Sequence, residues 1–326
     1  MDVTTEAVWI DGQIVEGPEA KVHVMSPSLH YGWGAYEGIR FYTSHDPERP
    51  GPLIFRLSEH LRRLRDSSEA LGMRLPHSEE ELASACVDLV RRSGLPEGYL
   101  RPLVMLRAGA MSVAGQIDDV SVVIGCWTWS GYVGDADTGI SVRTSSWVRC
   151  GASQIPPSVK STGGYLNPSL ARMEAVRGGD HEAILLNQAG RIAEASAANV
   201  FAVIDGTLTT PPLDEGILPG ITRDAVLTLA TDAGMPTLCR PIEPEELHAA
   251  EELMLAGTAM ELASVVRLDG KPVGQGRPGP WFTTLRAALD DAFHGRAADH
   301  REWSTDCAPG TAERDPLSSV PTAYRP

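Results

Sequence analysis

The sequence predicts an α+β chain of two domains, and three observations carry that expectation. At 326 residues with 42% hydrophobic content, the chain exceeds one small domain and holds apolar side chains enough for sizeable cores. Hairpin signals recur along it with helical stretches between, unlike the strand–helix alternation of a doubly wound fold. Residues 131–139 are rich in glycine and aspartate and poor in large apolar residues, which reads as an interdomain connection. The division is then a small N-terminal domain over 1–130, a larger domain over 140–306, and a polar, proline-bearing tail over 307–326 expected to be disordered.

Taken in order, Trp9-Ile10 and Ile14-Val15 flank Asp11-Gly12-Gln13, a strand–turn–strand signal, and Val22 to Met25 read as a further strand with Lys21 a charge at its edge. Ile39 to Tyr42 is a strand and Pro47 to Pro52 a polar loop. Ser58 reads as the cap of a helix whose face is Leu61, Leu64, Ser68 and Leu71 and which Gly72 closes. Ser78-Glu79-Glu80-Glu81 is a capping box opening a second helix to about Gly94. Strands follow at Tyr99–Arg107 and Val120–Thr128. Beyond the connection come a strand at Ile140–Thr144 and a helix over Asn167–Arg177. A hairpin joins Ala183–Leu186 to Arg191–Ala193. Asn199–Ile204 turns back through Asp205-Gly206 to Thr207–Thr209. Thr222 begins a helix that Gly234 ends, Pro244–Ala250 is a short helix, and Glu252–Ala256 is a strand. Val265–Leu268 and Lys271–Val273 form a hairpin through Asp269-Gly270, and a last helix runs over Pro280–His294.

The net charge of −15 argues against nucleic acid and anionic membrane as partners, since phosphates demand a basic surface. The apolar run Val120–Trp129 is too short to span a bilayer. Residues 1–6 carry neither a basic end nor an apolar run, so no signal peptide is expected. The five cysteines are scattered, odd in number and never paired as Cys-x-x-Cys, which suits free thiols in a reducing cytoplasm. The nine histidines form no His-x-x-x-His or paired-ligand cluster, so no metal is expected.

Of the 28 basic residues only three are lysines, Lys21, Lys160 and Lys271; the rest are arginines. Lys160 lies in Ile155-Pro156-Pro157-Ser158-Val159-Lys160-Ser161-Thr162-Gly163-Gly164-Tyr165. A desolvated lysine can lose its proton and an arginine cannot, and only a neutral amine forms a Schiff base. Two prolines stiffen the approach and a Gly-Gly pair follows where backbone must bend or come close to something. The same residues equally fit a surface lysine in a turn. Leu218-Pro219-Gly220-Ile221-Thr222-Arg223-Asp224 puts a glycine and a hydroxyl at a helix start, a ready anion site or a plain Thr222 cap. Leu255-Ala256-Gly257-Thr258-Ala259 is a second Gly-Thr turn after a strand. Arg63 would supply a counter-charge, or be a solvated arginine beside Arg62 and Arg65. Glu194, in the small-residue run up to Asn199, is either a strand-end surface charge or the partner of a protonated ring nitrogen.

These stretches, with Tyr31-Gly32, Tyr36-Glu37-Gly38-Ile39-Arg40, Glu59-His60-Leu61-Arg62-Arg63-Leu64 and Tyr99-Leu100-Arg101-Pro102-Leu103, resemble in order and spacing the fold-type IV (class IV) pyridoxal-phosphate enzymes, specifically bacterial branched-chain-amino-acid aminotransferases. The resemblance runs to about Asp306. It implies the D-amino-acid-aminotransferase-like fold, with a smaller α/β domain first and a larger mixed-sheet, barrel-like domain after it. It implies pyridoxal 5'-phosphate as cofactor, with Lys160 holding it and moving the proton, Glu194 at the pyridine nitrogen and Tyr165 at the phenolic oxygen. Arg63, Ile221, Thr222 and Thr258 would bind phosphate. Tyr31, Tyr99 and Arg101, with the Thr258–Ala259 turn, would take the substrate carboxylate, and Tyr36, Met111, Val113, Trp129 and Tyr132 would line the side-chain pocket. Some of these come from a neighbouring subunit in the family, which implies a homodimer or larger. The implied reaction moves the amino group of L-leucine, L-isoleucine or L-valine to 2-oxoglutarate by a ping-pong scheme. A D-amino-acid aminotransferase, a transaminase for aromatic or unusual amino acids, an aminodeoxychorismate lyase and a non-catalytic binder are the rival readings.

Trp33, Tyr36, Gly164, Ala195–Ala198 and Met260 depart from the family's usual residues. They are expected around the pocket and cofactor, with Trp33 as an enlarged aromatic wall that narrows the pocket or favours an aromatic or unusual amino acid.

Overall fold

The structure is a computed structural model describing residues 7–109, 111–113, 117–129, 131 and 138–307. Tyr132, most of the expected connection at 131–139 and the tail beyond 307 lie outside the described residues. The chain runs β1 (Ala7–Ile10), β2 (Gln13–Glu16), α1 (Pro27–Tyr31), β3 (Gly34–Tyr36), β4 (Ile39–Thr43), β5 (Pro52–Phe55), α2 (Leu57–Ala70), α3 (Glu79–Ser93), β6 (Gly98–Leu106) and β7 (Val120–Trp127). It continues β8 (Ile140–Thr144), α4 (Leu166–Arg177), β9 (Glu182–Leu186), β10 (Ile192–Ala195), β11 (Asn199–Ile204), β12 (Thr207–Thr210), α5 (Ile221–Asp232) and β13 (Thr237–Cys239). The last elements are α6 (Pro244–Ala249), β14 (Glu252–Gly257), β15 (Glu261–Leu268), β16 (Lys271–Pro272), α7 (Pro280–Phe293) and β17 (Ser304–Asp306).

Among the described residues the strands form two sheets in an α+β arrangement. The first has the order β17-β5-β4-β6-β7-β1-β2, with β3 also on β6, and its pairings are antiparallel. The second has the order β10-β9-β8-β15-β14-β11-β12-β13, with β16 on β15. It is mixed: β8 runs parallel to β9 and β15, and β12 to β13. At its other end β10 leads into β11 through a tight turn in which the Ala195 N–H donates to the Ala198 carbonyl at 2.7 Å.

Three Asp-Gly pairs make the hairpins. Asp11 and Gly12 join β1 to β2, Asp205 and Gly206 join β11 to β12, and Asp269 and Gly270 join β15 to β16. All six have positive φ, between 46° and 93°, as a two-residue turn matched to strand twist requires. Helix α3 carries the expected capping box, with Ser78 and Glu81 exchanging side-chain and backbone hydrogen bonds. Leu57, Leu61 and Leu64 of α2 and Leu82, Cys86 and Leu89 of α3 cover one face of the first sheet around Ile39, Phe41 and Ile54. Helices α5 and α7 pack on the second sheet through Val226, Leu229, Leu285 and Leu289 against Phe201 and Met254. Tyr42, Phe55 and Trp303 join that same core, and Tyr42 stacks on Phe293 at 4.4 Å. The two halves therefore share apolar packing.

Several expectations fail. Val22–Met25 is no strand: Val22 is 47% and Val24 68% exposed, and the segment joins neither sheet. Helix α2 starts at Leu57, ahead of Ser58, after Arg56 in the left-handed region at φ 54°. Arg56 holds that conformation by ion pairs to Glu59 and, at 2.9 Å, to Asp224 of α5. Thr222 is not a cap; Gly220 takes that place, without a side-chain cap, and Thr222 lies buried within the first turn. Strand β17, assigned with the C-terminal domain, pairs with β5 of the first sheet.

Candidate active site

A cavity of about 590 Å³ opens between the two sheets, with Lys160 on its wall. The lysine stretch is fastened there by backbone bonds to the first sheet's helix and strand. Its N–H donates to Ser67 Oγ of α2 at 3.1 Å. Its carbonyl accepts from the Tyr36 N–H at 3.1 Å, and the Thr162 N–H donates to the Gly34 carbonyl at 2.8 Å. With both backbone groups held, the side chain is aimed inward. Lys160 Nζ lies 2.6 Å from the Tyr165 hydroxyl. The Tyr36 hydroxyl donates to the same oxygen, and the Tyr36 and Tyr165 rings meet edge to face at 5.0 Å. Burial pushes the Tyr165 phenol up, but the Lys160 charge and the bonds from Lys160 and Tyr36 outweigh it and hold the phenol below its ordinary value. Tyr36, buried beside Tyr165, is pushed well above the phenol range and stays protonated.

Glu194 is buried on another side of the cavity at the end of β10. Its Oε1 accepts from Arg149 Nε at 2.8 Å, and its Oε2 from the Leu218 N–H at 3.0 Å and Asn199 Nδ2 at 3.2 Å. Burial pushes this carboxyl above its ordinary value; Arg149 and the Leu218 N–H oppose the shift without cancelling it. A cationic group in the cavity would oppose that rise. Sequence reasoning missed Arg149, and the run Trp147-Val148-Arg149-Cys150 carries no local signal for it.

Arg63 reaches the cavity from α2 with its guanidinium already held. It forks onto fully buried Glu37 at 2.7 and 2.9 Å and bonds the Pro219 carbonyl at 2.7 Å. His60 Nδ1 lies 2.7 Å from the same carboxylate. Burial alone would raise Glu37; the Arg63 and His60 contacts hold it far below the carboxylate range. The structure thus adds Glu37 and His60 as the supports of Arg63. Below Arg63 lie Ile221 and Thr222 at the start of α5, and Thr258 and Ala259 in the turn after β14. Glycine is required at both places by space. A Cβ on Gly220 would fall 1.9 Å from Asn199 Oδ1, and one on Gly257 would fall 2.8 Å from the Ala197 carbonyl.

Across the cavity, the Arg101 guanidinium lies over the Tyr36 ring at 4.7 Å and hydrogen-bonds Tyr99. Its Nε is buried with no hydrogen-bond partner. Trp129 stacks on Tyr99 at 4.7 Å and donates to the Ala259 carbonyl at 3.0 Å. Ser169, Arg172 and Met173 of α4 add a wall that sequence reasoning did not anticipate. Tyr31, Met111 and Val113 do not line the cavity of this chain; Tyr31 is 42% and Val113 75% exposed. Nor do Trp33, Gly164 and Met260. Trp33 packs against the first sheet's core and Met260 lies in the core within the second, so the expected Trp33 wall is absent. Tyr36 and Ala195–Ala198, the other departures, do line it.

The model of the amino-transferase class IV family matches residues 34–268, and the chain belongs to that family. Within it, the chain is similar to branched-chain-amino-acid aminotransferases. That of Salmonella typhimurium is 40% identical over 301 residues, 91% of this chain and 96% of that one. The crystal structure of the Escherichia coli enzyme superimposes with a TM-score of 0.90 at 38% identity, covering 93% of this chain and 99% of that one. The Thermobaculum terrenum enzyme, solved in its PLP-form, gives 0.87 at 29% identity, covering 94% and 100%.

Proposed function

We propose that this chain is a pyridoxal 5'-phosphate-dependent transaminase that moves the amino group of L-leucine, L-isoleucine or L-valine to 2-oxoglutarate. The observation that carries the reading is one cavity with an amine, a buried carboxylate and an arginine on separate sides: Lys160 beside Tyr165, Glu194 beside Arg149, and Arg63 beside the α5 start. The residues fit the cofactor. Lys160, Glu194, Arg63, the start of α5 and the Gly257-Thr258-Ala259 turn all line the same cavity. The first turn of α5 offers N–H groups and the positive helix end to a phosphate. Glu194 is a buried acid for which a pyridinium is the suitable counter-charge. Bound there, pyridoxal phosphate supplies the electron sink that makes an amino acid's Cα–H acidic.

The chain's own groups do the rest. Arg63, Ile221, Thr222 and Thr258 fix the phosphate. Glu194 holds its proton balance at the ring nitrogen, with Arg149 resisting its protonation. Tyr165 orients the phenolic oxygen, and Tyr36 supports Tyr165. Lys160 Nζ takes the proton from Cα and returns it on the other side of the transfer, as a positioned general base and acid. Tyr99, Arg101 and the Thr258–Ala259 turn receive the carboxylate. The Arg101 guanidinium, which lines the cavity, suits the second carboxylate of 2-oxoglutarate, while Tyr36 and Trp129 offer apolar surface to a branched side chain. Leucine's apolar end and the dicarboxylate then share one pocket, consistent with two half-reactions at one site.

A second copy of the chain completes the site in this reading. Tyr31, Met111 and Val113 are its contributions, and the exposed Val22, Val24 and Leu29 belong to the contact. The working division is a small domain at 1–130 and a large one at 140–306 closing on the cavity. All five cysteines are free, as a reducing cytoplasm requires. Initial rates with L-leucine and 2-oxoglutarate test the proposal. Parallel double-reciprocal lines are expected for the wild type, and Lys160→Ala should lose at least ~10³-fold in rate. A wild type inert with all three branched-chain substrates overturns it.

A further inference from the structure

Glu261 is the residue that follows the turn 257–260 and opens β15, and its backbone sits in the left-handed region at φ +60°. For a side chain of that size this conformation costs free energy and persists only where surroundings impose it. Here the surroundings are visible. The Glu261 carboxylate takes Arg40 Nη1 at 3.0 Å and Arg286 Nη2 at 2.6 Å, and the Tyr42 hydroxyl hydrogen-bonds it as well. Arg40 and Tyr42 come from β4 of the first sheet, and Arg286 from α7, where it also bonds the Leu262 carbonyl at 3.1 Å. None of these four side chains lines the cavity, yet Arg40 is tied to it. Arg40 pairs across the ladder with Tyr99. Two residues before Arg40, Gly38 leaves room for the Tyr99 hydroxyl, which a Cβ would meet at 1.8 Å. The turn is closed by the Met260 N–H on the Gly257 carbonyl at 3.2 Å, a bond that uses neither the Thr258 nor the Ala259 N–H.

We propose that Glu261 is a positioning residue for the anion turn: its ion pairs to Arg40 and Arg286 clamp the strained residue after Met260, and so hold the Thr258 and Ala259 N–H groups toward the cavity. The inference rests on the reading of that turn as a carboxylate and phosphate receiver. Its chemistry is indirect. Glu261 touches no reacting atom; it joins the second sheet's turn to the first sheet's strand beside Tyr99 and Arg101. The two surfaces that would meet a substrate carboxylate from opposite sides are thereby fixed in register. Without the clamp, the 261 backbone is free to leave the left-handed region, and the turn to tilt with it.

Glu261→Gln in the holoenzyme tests this, because an amide keeps the size and an acceptor oxygen but removes the charge. The expected result is a rise of about tenfold in KM for the oxo-acid substrate, 2-oxoglutarate, with kcat much less changed, the scale of one misaligned charge-assisted bond. The apparent Kd of inorganic phosphate for the apo-protein should rise in parallel. Glu261→Asp keeps the charge on a shorter arm and should recover part of the loss; Glu261→Gly, which accepts φ +60° freely, should not. Unchanged KM and phosphate Kd, with only a lower melting temperature, would reduce Glu261 to a structural strut and overturn the inference. Ala259→Pro, which deletes one turn N–H, separates the two layers. If it leaves both quantities unchanged, the turn reading itself fails. If it weakens them while Glu261→Gln does not, the turn stands and the clamp falls.

Discussion

At the cavity wall, single side chains decide what the larger elements can do. Glu194 is a buried carboxylate that desolvation pushes up, and Arg149 at 2.8 Å is the cation that opposes that shift. Glu37 works the same way one layer out. It occupies two of the Arg63 donors and so fixes the guanidinium's plane, leaving an arginine that is oriented before any phosphate arrives. Trp33 teaches the opposite lesson. By residue type and place in the chain it belonged in the substrate pocket, yet it packs on the first sheet's core. Trp33→Leu should therefore lower stability by ~1–3 kcal/mol and leave the ratio of leucine to phenylalanine rates unchanged. Parallel thermal melts and rate assays check this; a shifted ratio would return Trp33 to the pocket.

At the scale of elements, the start of α5 carries the most function per residue. Its cap is Gly220 because Asn199 Oδ1 stands where a side chain would go, and Asn199 in turn bonds Glu194 and the Leu218 carbonyl. Gly220→Ala should push Asn199 away, loosen Glu194 and weaken cofactor affinity by at least ~10-fold while α5 still forms. Titration of the apo-protein with pyridoxal phosphate, alongside circular dichroism, reads both effects.

The elements legible from sequence are those with local causes: the Asp-Gly hairpins, the Ser78 capping box, and the long apolar strands β6 and β7. Those that escaped have distant causes. Strand β17 exists because Ser304–Asp306 finds the edge of β5, far back in the chain at Pro52–Phe55. Strand β3 is three residues, Gly34–Tyr36, held by β6 on one side and the lysine stretch on the other. Arg56 starts α2 in a left-handed conformation that Asp224, on another helix, helps stabilise. The site divides along the same line. Lys160, Glu194, Arg63 and Thr222 stand out by residue type in a small local motif. Arg149, Glu37 and the α4 wall join them only through tertiary packing, and Tyr31, Met111 and Val113 stand outside this chain's cavity.

For the molecule as a whole, the two sheets share the Tyr42–Phe55–Trp303 packing, and Arg63, held by Glu37, reaches across to the Pro219 carbonyl ahead of α5, so the site and the global fold respond to pH together. Glu37 has its folded-state value depressed below the ordinary 4.5. A depressed carboxyl gives stability that is complete above the unfolded value and is lost as pH falls through it toward the folded one. His60, also depressed by burial, adds a loss in the same direction below its ordinary 6.5. Melting temperature should thus fall as pH drops from about 7 to about 4, and Glu37→Gln, with Arg63 left buried beside it, should flatten the lower part of that slope. An unaltered slope in the variant would mean the acid sensitivity resides elsewhere. Among the described residues no helix is long and apolar enough to cross a membrane. The cavity is lined by Arg63, Arg101, Arg149, Arg172 and Arg177, positive groups that favour anionic substrates there against the −15 charge of the chain.

If Lys160, Glu194 and Arg63 hold pyridoxal phosphate for transamination of branched-chain amino acids, the visible absorption spectrum of the purified protein reports it. A yellow band that L-leucine bleaches and 2-oxoglutarate restores is expected, and Lys160→Ala should fail to show this cycle. No visible band after addition of pyridoxal phosphate would contradict the reading of Lys160. A band unmoved by L-leucine, L-isoleucine and L-valine would contradict the substrate and turn attention to D-amino acids, aromatic amino acids and the lyase reaction.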